Sequence, residues 1–188
     1  VIARRDPPGW YILGRYPTGS DRLVAEVGQA LREAGYLTRI SDNVMPYKWG
    51  KLIANLGNAI GAITSGNWEE TRRIYQAVAE EARIIVEKAG IEVISQEQVA
   101  REWPEISLPL KGQLQTEAQS STWQSLARRQ GNVETDFLNG EIVRVARRLG
   151  LEAPLNEKLV SITRTMAAAG ELPGRYTPGQ LEGILGID

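Results

Sequence analysis

The sequence changes its period near residue 42, and that change limits the folds open to it. Upstream, Trp10-Tyr11-Ile12-Leu13-Gly14 is a short β-prone run between Pro7-Pro8-Gly9 and Pro17-Thr18-Gly19. Ser20 or Asp21 is placed to cap a helix from Arg22 to about Ala34, with Leu23, Val24, Val27, Ala30 and Leu31 at helical spacing and Gly35 as its stop. Tyr36-Leu37-Thr38-Arg39-Ile40 predicts a second strand. A β-α-β unit of this size needs sheet neighbours to bury its faces, because two short strands alone are marginal.

From Asn43 onward the pattern is helical. Pro46 suits the first turn of a helix over about 47–64, and a second is predicted over about 69–89, with Ile74, Val78, Ala82, Ile85 and Val86 inward and Gly90 as its stop. A short helix is expected over 95–102, a loop over 103–119, and another short helix near 120–129. Longer helices follow over about 135–149, with Phe137, Leu138, Ile142, Val145, Ala146 and Leu149 apolar, and over about 156–169. Residues 171–188 are rich in Gly and Pro and read as partly irregular. The chain is therefore mainly α, with a β-α-β prelude.

Composition narrows the chemistry. The 188 residues include no cysteine and no histidine. That excludes disulfides, thiolate nucleophiles and thiolate metal sites, and equally a Ser-His-Asp triad or an HExxH metal site. No metal site is expected. A formal charge of −1 is a poor match for nucleic acid or an anionic membrane surface, and no apolar stretch is long enough to span a bilayer. A cytoplasmic enzyme fits these features. Its acid–base groups must come from Lys, Glu, Asp, Ser, Thr, Tyr or Asn.

The most informative segment is Lys48-Trp49-Gly50-Lys51-Leu52-Ile53-Ala54-Asn55-Leu56-Gly57-Asn58. At about 100° per residue, Asn55 lies roughly 40° from Lys51 and Asn58 roughly 20° from it on the other side. One stripe thus presents an ammonium and two carboxamides between apolar flanks. It reads either as a solvated polar face or as groups kept for a ligand. Gly50, Gly57 and Gly61 each weaken a helix by about 1 kcal/mol against Ala, so close packing or ligand approach is expected to offset them. A second segment, Ser120-Ser121-Thr122, offers hydroxyls at a helix start, which serve an ordinary N-cap or a substrate carboxylate. Asn132 is positioned to cap the following helix, with Glu134 and Asp136 beside its N-terminal dipole.

The order Trp49-x-Lys51-x3-Asn55-x2-Asn58, then Ser120-Ser121-x2-Gln124, then Glu134-x-Asp136-x2-Asn139-Gly140-x9-Gly150-x3-Pro154-x-Asn156 resembles ketopantoate reductases (2-dehydropantoate 2-reductases). The resemblance is to their all-helical C-terminal domain, of the 6-phosphogluconate-dehydrogenase-like kind. It implies that residues 1–42 are the end of a Rossmann-type nucleotide-binding domain and residues 43–188 a helical substrate-binding and catalytic domain. Family members commonly carry a second asparagine where this chain has Ala59, and Asn58 comes one position earlier.

The resemblance further implies reduction of the ketone of ketopantoate, a small 2-keto acid, by NADPH. Lys51 matches the catalytic lysine and Glu134 the substrate-positioning glutamate. Asn55, Asn58, Ser120 and Ser121 fall at substrate-binding positions. Hydride arriving at a ketone carbon leaves charge on oxygen, which a nearby ammonium can stabilise and protonate. No G-x-G-x-x-G fingerprint occurs in the sequence, so the main NADPH site is expected upstream of Val1, and the chain is expected to be an inactive fragment. Helical domains of such dehydrogenases often associate, so a homodimer through this domain is one expected assembly. A non-catalytic helical dimerisation module is the alternative reading, and it has no need of the polar stripe.

Overall fold

The computed structural model describes residues 9–107 and 120–187. Among the described residues thirteen elements fall into two compact units, one holding residues 9–51 and 92–107, the other residues 52–91 and 120–187.

In the first unit, strands β1 (Trp10–Leu13) and β2 (Leu37–Ile40) pair in parallel, Trp10 opposite Leu37 and Leu13 opposite Ile40. Parallel neighbours need a crossover, and α1 (Arg22–Glu33) supplies it. Asp21 caps α1 by accepting the Val24 N–H at 2.9 Å. Its carboxyl is held below the ordinary range, first by the Arg15 guanidinium bonded to it and then by that backbone N–H. α2 (Met45–Asn55) follows. Later in the chain, α5 (Gln96–Glu102) and α6 (Pro104–Ser107) return to this unit. Val99 and Trp103 form a small core there with Ile12, Leu37, Tyr47 and Ile94, and Arg39 stacks over the Trp103 ring at 4.1 Å.

The loop expected over 103–119 is therefore helical at Pro104–Ser107, while residues 108–119 lie outside the described residues.

The described residues of the second unit build helices joined by turns, with one parallel bridge between Thr64 and Tyr176: α3 (Gly57–Ile63), α4 (Trp68–Lys88), α7 (Ser121–Ala127), a 3-10 turn (Glu134–Phe137), α8 (Asn139–Arg148), α9 (Pro154–Ala168) and α10 (Pro178–Leu185). α4 is central, in contact with α3, α8, α9 and α10. Its Asn67/Glu70 capping box starts it, and Ile74, Val78, Ala82, Ile85 and Val86 are buried, as their spacing predicts. Leu56, Ile60, Ile63, Leu126, Ile142, Leu159, Met166 and Leu181 complete the core.

Two expectations change here. The helix predicted over 47–64 is two, because Leu56 donates to Ile53 in a tighter 3-10-type bond and Gly57, a weak helix former, sits 3.0 Å (from an ideal Cβ) against the Tyr75 ring. The helix predicted over 135–149 opens as a 3-10 turn, with Leu138 at φ −104°, ψ −87° before α8 begins; Thr135 and Asp136, both poor helix formers, occupy that turn. The C-terminal segment is partly irregular, as its Gly and Pro content predicts: residues 171–177 form no helix, and then Thr177 and Gln180 make a capping box for α10, which Gly186 closes at φ +74°.

Candidate functional site

α2 carries the first group of expected site residues. Gly50 lies against the backbone of the 92–95 segment so closely that a Cβ would fall 1.8 Å from the Ile94 carbonyl oxygen, and the Ile94 N–H donates to Pro46 at 3.1 Å. Close backbone packing, and not ligand approach, accounts for this glycine. One residue on, Lys51 is exposed, and Asn55, one turn further along α2, is half-buried. The Lys51 ammonium makes no hydrogen bond or ion pair among the described residues.

The second group is brought together at the start of α7. Ser120 is the N-cap: its hydroxyl accepts the Trp123 N–H at 3.2 Å and donates to the Asn58 carbonyl at 3.2 Å. Asn58 is thus tied to α7 through its backbone, which leaves its half-buried carboxamide uncommitted among the described residues. The next hydroxyl, Ser121, donates a hydrogen bond to Glu134 Oε2. A hydroxyl bonded to an ionised carboxylate is the stronger kind of hydrogen bond, and it fixes the carboxylate's direction. Asn132 does not cap the following segment. The residue before the 3-10 turn is Val133, with no side-chain cap bond, and Asp136 instead accepts from Arg164 Nε on α9 at 2.6 Å.

Beneath this surface lies a buried polar chain to which the sequence had assigned no role. Asn139 and Asn156 are both fully buried, and Asn139 Nδ2 donates to Asn156 Oδ1 at 3.0 Å and to the Leu56 carbonyl at 3.5 Å. Asn156 Nδ2 in turn donates to Glu81 Oε1 at 2.8 Å and to the Val78 carbonyl at 3.3 Å. Glu81 also accepts the N–H groups of Leu155 and Asn156, each at 2.9 Å. α9 opens with Ala153 at its N-cap and Pro154 in its first turn, so the helix has no capping side chain of its own and Glu81 of α4 takes that place. A helix start without a local cap, and asparagines on otherwise apolar helix faces, were the available signals.

The turn after β1 is tightly packed, with no room for a side chain: a Cβ on Gly14 would fall 2.3 Å from the Ser41 carbonyl oxygen. Nor do the described residues contain a group of three or more His, Cys, Asp or Glu side chains able to hold a metal ion. Among them no helix is long and apolar enough to cross a membrane.

A parallel β-α-β unit followed by a mostly helical remainder, with a hydroxyl–carboxylate pair at a helix start, defines a mainly helical class of domain. The chain belongs to the family described as ketopantoate reductase PanE/ApbA C terminal, which matches residues 43–167. It is 28% identical over 166 residues to a 2-dehydropantoate 2-reductase of Pyrococcus horikoshii, covering 86% of this chain and 54% of that protein. A PanE/ApbA family ketopantoate reductase structure from Ralstonia eutropha is similar at a TM-score of 0.60 and 25% identity, over 86% of this chain and 52% of that one. A D-mandelate dehydrogenase solved with NADH and anilino(oxo)acetate shares the fold, with a TM-score of 0.64 and 16% identity over 86% of this chain and 67% of that one. The chain spans about half the length of the curated relatives it matches.

Proposed function

We propose that this chain is the substrate half of an NADPH-dependent 2-keto acid reductase that converts ketopantoate to pantoate. The observation that carries the reading is the Ser121–Glu134 pair, an oriented carboxylate on the surface of a domain from this family. In this reading residues 1–42 are the end of a nucleotide-binding domain, residues 43–188 form the substrate domain, and the chain alone does not turn over. NADPH bound by the nucleotide-binding domain would supply the hydride to the carbonyl carbon.

The chain's own residues manage charge and position. Lys51 stabilises the oxygen on which negative charge develops and delivers a proton to it, completing the alcohol. Its ammonium has no competing partner among the described residues. The Glu134 carboxylate, aimed by Ser121, accepts a hydrogen bond from the substrate hydroxyl. Asn55 and Asn58 offer carboxamides to the rest of the substrate. Ser120 has its proton committed to the Asn58 carbonyl, so its contribution is to hold the Asn58 and Ser121 positions together.

The test joins this chain to the N-terminal half of the Pyrococcus horikoshii relative and follows NADPH oxidation with ketopantoate. Turnover that Lys51→Ala abolishes supports the reading; turnover indifferent to Lys51→Ala sinks it.

A further inference from the structure

A groove of about 870 Å³ runs between α8 and α9 in the second unit, lined by neither Ser121 nor Glu134. The two helices run antiparallel. Arg147 pairs with Glu157 near the turn that joins them, and Arg164 Nε donates to Asp136 Oδ1 at 2.6 Å toward the other end. Val143 and Val160, both buried, form the floor. Arg144, Arg147 and Arg148 stand on the α8 side, at spacings that share one helix face. Arg164 stands on the α9 side with Ser161 and Thr165. Four guanidiniums thus line the groove with two carboxylates, in a chain whose formal charge is −1.

Structural roles account for only part of this cluster. Basic residues in a last helical turn complement its dipole, which suits Arg147 and Arg148. That reason does not reach Arg144, or Arg164 in the interior of α9. Arg144 pairs with Glu141 on its own helix, but exposed ion pairs of this kind stabilise a fold little. The pairs also leave donors over. Arg164 is held through Nε, and its two Nη groups make no hydrogen bond among the described residues. Arg148 and the Ser161 hydroxyl make none either.

The charge is spread along the groove and not gathered at one point. From Glu157 to Arg164, α9 rises by about 10 Å. A single small anion meets one end of such a track, whereas a chain of phosphates follows it. Each guanidinium is a planar fork able to take two phosphate oxygens at once.

We propose that the α8–α9 groove is a binding site for a small molecule carrying a chain of phosphates. Arg144 and Arg148 contribute donors from α8, and Arg164 and Ser161 from α9. The proposal does not depend on the reductase reading, and its test needs no turnover.

The full chain is titrated with tripolyphosphate in a calorimeter at low ionic strength. Saturable binding of one molecule per chain is expected, and no heat of binding overturns the proposal. Arg144→Gln with Arg148→Gln should weaken that binding by at least about tenfold, the loss that charge-assisted hydrogen bonds predict. Both side chains are exposed, and circular dichroism checks that the variant is folded. Arg72→Gln with Arg73→Gln removes the same charge from the exposed face of α4 and should change binding less than about twofold. Equal losses in the two double variants reduce the effect to net charge, and the proposal fails. Citrate bound as tightly as tripolyphosphate overturns the choice of phosphate. A single-stranded oligonucleotide bound more tightly than tripolyphosphate, and lost with Arg144 and Arg148, assigns the groove to nucleic acid and overturns it as well.

Discussion

The Glu81 carboxylate accepts both the backbone N–H of Asn156 and its side-chain amide, at 2.9 and 2.8 Å, and so caps a helix that begins far away in sequence. Removing it strips two first-turn N–H groups of their partner and leaves the Asn156 amide half-satisfied. Glu81→Ala is expected to destabilise the chain by about 2–4 kcal/mol, and Asn156→Ala by about 2–3 kcal/mol, from lost charge-assisted bonds and orphaned buried groups. Because they share these bonds, the double variant should fall short of the sum by at least about 0.5 kcal/mol in urea unfolding. Strict additivity would dissolve the connection.

Lys51 is expected to act in the transition state and not in binding. In the joined reductase, Lys51→Ala should lower kcat by about 10²–10⁴-fold with KM changed little, the usual contribution of a positioned acid. Lys51→Arg keeps the charge but not a transferable proton, and should recover part of kcat.

The Ser121–Glu134 bond makes a different forecast. Glu134→Gln removes a charged acceptor for the substrate hydroxyl and should cost about 10–100-fold in kcat/KM. Ser121→Ala leaves the carboxylate present but less well aimed, so the loss should be smaller and weighted toward KM. Steady-state kinetics with ketopantoate separates the two.

Two glycines that look alike in sequence should respond in opposite directions. Gly50→Ala drives a methyl group into the Ile94 carbonyl and is expected to cost about 2 kcal/mol or more. Gly61 has nothing within 4 Å of its missing Cβ, so Gly61→Ala should stabilise by about 0.4–1 kcal/mol through the unfolded chain. Thermal melts of the pair decide the matter.

Acid should act on the first unit through Asp21. Its carboxyl is held down by Arg15 and by the Val24 N–H, so its folded pKa lies below the ordinary value for an aspartate. The stability it contributes is therefore complete above the unfolded value and is lost as pH falls through the lower, folded one. Asp21→Asn keeps a capping oxygen and has no titration. The gap in melting temperature between the two proteins should narrow steadily below about pH 4; a gap that is constant with pH would refute the assignment.

The elements most legible in the sequence were those written by local rules. The β-α-β unit, the Asp21 cap and the inward face of α4 follow from turn residues, capping chemistry and period, and the structure has them. What escaped were features set by distant partners. The break at Leu56 coincides with the Tyr75 ring packed against Gly57, and the 3-10 turn of poor helix formers is fastened by bonds from Ser121 and Arg164. At the site, sequence order selected Ser121 and Glu134 without revealing that they bond. It also selected Ser120 without revealing that its hydroxyl is occupied at both ends.

The route of the chain has a practical consequence. Residues 9–51 pack with 92–107, so the polypeptide leaves the first unit, builds α3 and α4, and comes back before completing the second. No single scission releases either one intact. A polypeptide cut to begin at residue 43, where the family match starts, would strip Trp103 and Val99 of Ile12 and Leu37. Anyone dissecting this protein should expect that shortened version to be the stickier one, and should splice around both crossings instead.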